Sequence, residues 1–209
     1  MSVPAHNPVI PEYGVTINIQ GTVTGRLEPK MHFVVYVIGD EDLDRALEPF
    51  QQNNMGTVDD HYLEFIDKTE EVVEYWNDYP LNLLAHGGEN YETIEAFATD
   101  YFGYEVQDGK YGYVENPNAQ WDWWELGGRW GDHLPLCTGT NSSQAPIEMI
   151  DIDKMSSAAA MLYRGEWINS GINIWNATDE EEETWLNRIK ALMSDLPPGT
   201  MVSVVDCHI

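Results

Sequence analysis

The sequence predicts an α+β fold, a single domain with a largely antiparallel sheet packed by a few helices, preceded by an N-terminal extended arm. Three observations carry that expectation. Residues 31–38 and 200–208 are apolar, β-branched runs with the length of buried strands. Asp108-Gly109 and Arg164-Gly165 stand between strand-like segments as hairpin turns. Strands and helices mix without the strict alternation of a parallel βαβ protein.

The elements follow in order. Residues 1–12 hold Pro4, Pro8 and Pro11 and read as extended chain. Val15, Ile17 and Ile19 alternate with polar residues, as an edge strand would. This arm, residues 1–30, could pack on its own domain or on a neighbour; residues 31–209 form the domain. After the central strand at 31–38, Gly39 and Asp40 open a helix with Leu43, Ala46, Leu47 and Phe50 at helical spacing, and Pro49 limits it. Residues 61–66 read as a short strand. Residues 69–78 read as an acidic helix bearing Val72, Val73 and Trp76. Asn90 is the expected cap of a helix with Tyr91, Ile94, Phe97 and Tyr101 on one face. Hairpins are expected at 104–114 and 159–175. Thr178 with Glu181 is a capping box, and the helix it opens carries Trp185, Ile189, Leu192 and Met193. Pro197, Pro198 and Gly199 end that helix before the last strand.

The chain has 209 residues, with 36 acidic and 10 basic side chains, for a formal charge of −26. Apolar residues make up 43% of it, enough for a packed core, which argues against wholesale disorder. The charge argues against direct binding to nucleic acid or to anionic lipid, because both need a basic face. No apolar run approaches the roughly 18 residues of a membrane helix. The charge serves solubility, or it faces a basic partner, or clustered carboxylates bind cations. B-DNA carries one charge per about 1.7 Å, so this charge matches about 13 base pairs, and a partner built to hold DNA could be blocked by such a surface. The calcium-loop pattern of an EF-hand is missing. Acid concentrates at 40–48, at 59–74 and at 179–183, where helix starts account for part of it. The first residues lack the basic and apolar regions of a secretory signal, so a cytoplasmic location with reduced Cys137 and Cys207 is expected.

Four of the eight tryptophans fall within Asn116–Trp130, in N-P-N-A-Q-W-D-W-W-E-L-G-G-R-W. Asn118 as N-cap and Gly127 as the residue after the helix frame a helix of barely two turns. Ala119, Trp123 and Leu126 would then share one face, and Trp121 and Trp124 another. Gly127-Gly128 permits a sharp turn and a close approach of another group. Arg129 could stack on a tryptophan, pair with Glu125, or bind an anion. The motif is thus an aromatic mini-core, a ligand pocket or a partner hot spot. Its candidate binding residues are Trp121, Asp122, Trp123, Trp124, Arg129 and Trp130.

On a terminal strand, Asp206 and His208 share one face and Cys207 points to the other with Val205 and Ile209. Asp206 and His208 join the candidates as an orienting pair for acid–base chemistry, and Cys207 reads as a buried small hydrophobe. His133, Cys137, Cys207 and His208 lack the spacing of a recognised zinc site, so no metal and no cofactor is expected. His32 on the central strand and His61 beside acid read as structural. Phosphate-loop, dinucleotide, nucleophile-elbow and zinc-protease motifs are missing.

Several segments stand out together: Met31-His32-Phe33-Val34-Val35, Asn53-Asn54-Met55-Gly56, Tyr111-Gly112-Tyr113 leading into the tryptophan motif, and Val204-Val205-Asp206-Cys207-His208-Ile209. In this combination the chain resembles an uncharacterised family of proteins encoded by tailed phages and prophage-bearing bacteria. The resemblance covers residues 31–209. It implies a phage or prophage origin, hence the host-cell cytoplasm, and it carries over no reaction and no catalytic residue.

The leading expectation is therefore an acidic accessory protein that binds a basic protein, such as a nucleic-acid-handling host or defence factor. One alternative is a small-ligand-binding protein or enzyme with its site near Asp122, Arg129, Asp206 and His208. Another is a minor virion component that uses its arm. Convergence of Arg129, Asp206 and His208 with the tryptophans favours the ligand or enzyme reading.

Overall fold

The computed structural model describes residues 31–82, 91–172 and 177–209. The arm with its expected edge strand and the expected cap Asn90 lie outside these residues. The described chain is α+β with mostly antiparallel pairing, as expected. Its strands are β1 (His32–Ile38), β2 (Glu64–Asp67), β3 (Glu105–Gln107), β4 (Lys110–Glu115), β5 (Trp123–Leu126), β6 (Leu134–Pro135), β7 (Asn141–Ser142), β8 (Gln144–Pro146), β9 (Ala160–Tyr163), β10 (Glu166–Asn169) and β11 (Met201–His208). Its helices are α1 (Leu43–Leu47), α2 (Thr69–Asn82), α3 (Ile94–Ala96) and α4 (Asp179–Ser194).

The main sheet has the order β10-β9-β1-β11-β5, and β8 also pairs with β11. Strand β1 lies along all of one edge of β11, so β5 and β8 divide the other edge between 205–208 and 201–203. Only the β1–β9 pair of this sheet is parallel. The continuous apolar character of β1 has a direct cause, since helices cover both faces of the sheet. On one face Val34, Tyr36, Ile38, Met161, Val202 and Val204 meet Trp185, Ile189 and Met193 of α4. On the other, Val35, Val37, Ala160, Leu162, Val205 and Cys207 meet Leu43, Leu47 and Phe50 around α1. The burial of Cys207 bears out its reading as a small core residue, and burial also pushes its thiol pKa well up. Ile209, expected beside it, is exposed.

The hairpin expected at 104–114 forms, and that expected at 159–175 forms over Ala160–Asn169, with 173–175 outside the described residues. Asp108 and Gly109 (φ +50° and +77°) and Arg164 and Gly165 (φ +55° and +76°) occupy the left-handed conformations that two-residue turns require. A third core holds Val72, Phe97 and Ala98 with Trp76, Phe102 and Tyr104, next to the small sheet β2-β4-β3. Gly112 allows β4 to close on β2, because a Cβ there would stand 2.0 Å from the Ile66 carbonyl oxygen. The helix expected from Asn90 begins instead at Ile94. Thr93 caps it, its hydroxyl accepting from Ala96 N–H at 3.1 Å.

The largest correction concerns the tryptophan motif. Residues 118–127 form no helix. A turn leads into an edge strand, β5, at Trp123–Leu126, and a single 3-10 turn follows at Gly128–Trp130. Asn118 caps nothing. Its N–H donates to the Asn116 side chain at 2.9 Å in a turn. Gly127, at φ +72°, ends a strand. A strand of aromatic residues laid against β11 gains a full ladder, which two turns of isolated helix cannot match.

The capping box on α4 forms as expected, with Thr178 and Glu181 bonded reciprocally. Replacing Thr178 by Ala should cost about 1 kcal/mol in urea unfolding. The Thr178 N–H and hydroxyl hold the Glu181 carboxyl below the usual glutamate range. The charged form is thus favoured by folding. Its contribution is fully present above the ordinary glutamate pKa and is lost as pH falls through the lower folded value. The stability gap between the native chain and Glu181→Gln should be constant near neutral pH and close only in strong acid.

Candidate functional site

The site forms where β1 and β11 end together. His32 faces His208 across the pair, and Val34 faces Asp206, so His32, Asp206 and His208 lie on one sheet face. Next to them β5 places Trp123 opposite His208 and Glu125 opposite Asp206. Just before that strand, Asp122 donates its N–H to the His208 carbonyl at 2.8 Å. Its side chain thereby reaches the ring of the same residue.

Two histidine–carboxylate pairs result. Asp206 Oδ1 lies 2.9 Å from His32 Nδ1, and Asp122 Oδ1 lies 2.5 Å from His208 Nδ1. The rings stand edge to face with centroids 4.9 Å apart. An ionised carboxylate only accepts hydrogen bonds. Facing an ionised carboxylate, each Nδ1 would carry the hydrogen and donate, and each Nε2 then points away from its carboxylate. Burial is uneven: the His208 side chain is 9% exposed and that of His32 22%. Trp123, 46% exposed, sets its ring 6.0 Å from that of His32.

Asp206 is 1% exposed and needs partners for both oxygens. His32 supplies one. The Arg129 backbone N–H donates to Oδ2 at 3.0 Å. That second bond requires the Gly127-Gly128 pair. A Cβ on Gly128 (φ +46°) would stand 2.5 Å from Asp206 Oδ2, and one on Gly127 would stand 2.9 Å from Ser143 Cβ. The glycines of the motif therefore bring a backbone against a buried carboxylate, and the arginine serves through its main chain. Its guanidinium is exposed and, among the described residues, makes neither the expected stack on tryptophan nor the expected pair with Glu125.

The tryptophans do not gather into one aromatic core. Trp121 is buried against the α1 face, where its indole N–H donates to the Leu47 carbonyl at 3.1 Å. Trp124 borders the same core, while Trp130 borders the α4 core on the opposite face. Asn116, 1% exposed, anchors the start of the motif by donating to the Pro49 and Gln51 carbonyls at 2.9 and 3.0 Å.

Of the residues the sequence singles out, Asp122, Trp123, Asp206 and His208 thus come together with the Arg129 main chain, and Trp121, Trp124 and Trp130 do not. His32 is the member that sequence reasoning missed. Its signal was a lone polar ring at the head of an apolar strand, which gains meaning only once that strand is paired with 201–208. His133 lies elsewhere, its ring 3.1 Å from the Ser157 carbonyl, and Cys137 is exposed while Cys207 is buried on the far face. Among the described residues no group of three or more His, Cys, Asp or Glu is placed to hold a metal ion.

Replacing Asp206 by Ala should leave two part-buried donors, His32 Nδ1–H and Arg129 N–H, without their acceptor, at about 1 kcal/mol each in chemical unfolding. Gly128→Ala should cost a further, separate amount of roughly 1–3 kcal/mol through overpacking, and should move the His32 ring resonances even where the fold survives. Set against protein-family models, curated proteins and solved structures, the chain has no match in any of the three.

Proposed function

We propose that the paired His–Asp centre is a proton-transfer site for a small ligand, which makes the protein a ligand-binding protein or enzyme of the acid–base type. The observation that carries this reading is the pair of adjacent imidazoles, each held at Nδ1 by its own carboxylate. A carboxylate in that position fixes the tautomer and orients the ring, as in hydrolase triads. The neutral ring then offers an Nε2 lone pair as base, and the protonated ring offers an Nε2 proton as acid. Two such rings, one neutral and one protonated, would form a complementary base and acid. Nucleophilic catalysis is not supported, since Cys207 lies on the opposite face and its thiol pKa is pushed up. The chemistry that fits is proton removal at one atom of a ligand and proton delivery at a neighbouring atom, with Trp123 as an apolar flank.

The test begins with the tautomers. Long-range proton–nitrogen NMR near neutral pH should find hydrogen on Nδ1 of both His32 and His208. A neutral ring protonated at Nε2 in either residue removes the reading. His32→Gln and His208→Gln should each lower turnover of any substrate by about 100-fold or more, with the fold retained by circular dichroism.

A second reading is supported by the distribution of acid. Asp59, Asp60, Glu64, Asp67, Glu70 and Glu74 are all exposed along one stretch of chain, as are Asp179 to Glu183 at the start of α4. On this reading the chain is an accessory protein of tailed-phage or prophage origin that engages a basic protein in the host cytoplasm. The immobilised protein should retain a specific basic host protein at moderate salt and more of it at low salt. Retention of none at either salt removes this reading.

A further inference from the structure

A polar cleft lies between residues 117–120 and the tip of the β9–β10 hairpin. Its volume is about 420 Å³, within the range of about 300–1,000 Å³ typical of small-molecule sites. Trp167 forms its floor, packed 5.2 Å from Phe50 with the two rings tilted by 45°. The indole N–H donates to Asn169 Oδ1 at 2.9 Å, and Asn169 Nδ2 donates to Gln120 Oε1 at 3.4 Å. The ring is thus held by packing on one side and by a hydrogen-bond chain at its edge.

Among the described residues, three polar groups around the cleft have no protein partner: the Asn118 side-chain amide, the Gln120 Nε2 hydrogens and the Glu166 carboxylate. They offer donors and acceptors together. The described residues that line the cleft include no Lys or Arg, so an anion would meet Glu166 without a countercharge. An aromatic base would need a facing wall on which to stack, and Phe50 is the packing partner of Trp167 at a tilt, not an opposing wall.

We propose that this cleft binds a neutral polyhydroxylated ligand, a saccharide unit, with the apolar face of the sugar ring on Trp167. The Asn118 and Gln120 amides and the Glu166 carboxylate pair with its hydroxyl groups. The site is separate from the His–Asp centre and does not depend on proton transfer there.

The test uses the full chain and proton–nitrogen correlation spectra, which resolve the Trp167 indole and the side-chain amides of Asn118, Gln120 and Asn169. Glucose, galactose, N-acetylglucosamine and maltose are titrated in parallel with glucose 6-phosphate and adenosine. At least one neutral sugar should shift these signals together at millimolar concentration. Glu166→Gln and Asn118→Ala should each weaken that binding about tenfold with an unchanged melting temperature. Trp167→Phe, which keeps a ring on the floor, should weaken it less than Trp167→Ala. The proposal is overturned if no neutral sugar moves the signals at tens of millimolar. It is equally overturned if glucose 6-phosphate or adenosine binds more tightly than every neutral sugar, or if the Glu166 and Asn118 variants bind as the native chain does.

Discussion

A carboxylate that is almost fully enclosed must find a partner for each oxygen, and Asp206 imposes that constraint on everything around it. Leaving an ion of this size unpaired in the interior costs several kcal/mol. One oxygen draws in His32 from β1, and the other draws in a backbone N–H from the turn after β5. The turn can approach only without side chains at 127 and 128. The end of β5 is thereby fixed in space, and with it the positions of Trp123 and Asp122. Asp122 in turn reaches His208. A chain of local requirements starting at one buried acid thus builds the whole centre.

The tryptophan motif is best understood as three joined pieces with different partners. Asn116 to Trp121 runs beside the end of α1 and takes up carbonyls of residues 47–51 that a short helix leaves unpaired. Trp123 to Leu126 adds an edge to β11. Gly127 to Arg129 serves Asp206. Trp121 and Trp124 fill the core on the α1 side and Trp130 borders the core on the α4 side, so the aromatic density in the sequence serves opposite faces of one sheet.

Much of the fold was legible in the sequence, and the reasons are local. Strands β1 and β11, both hairpin turns and the α4 cap announce themselves within a few residues, because β-branched runs, Gly at positive φ and a Thr–Glu spacing act at short range. Residues 118–127 misled for the opposite reason. Their end signals resembled helix caps, and the ladder that makes them a strand is supplied by residues far along the chain. His32 was hidden in the same way. The Asp206 and His208 alternation was visible on one strand, whereas the partner of each carboxylate or ring depends on the register between strands.

The position of β11 has a consequence for how the molecule comes to exist. This strand fills the gap between β1 and β5 and is late in the sequence, while its neighbour β1 is the first of the described strands. Until β11 docks, one long edge of β1 has no partner and presents unpaired N–H and C=O groups, flanked by apolar side chains, that could pair with another chain. Contacts of such long sequence separation form slowly, since loop closure precedes any reward. The acidic content that leaves the mature surface so negative then acts earlier, as electrostatic repulsion between incomplete chains during synthesis.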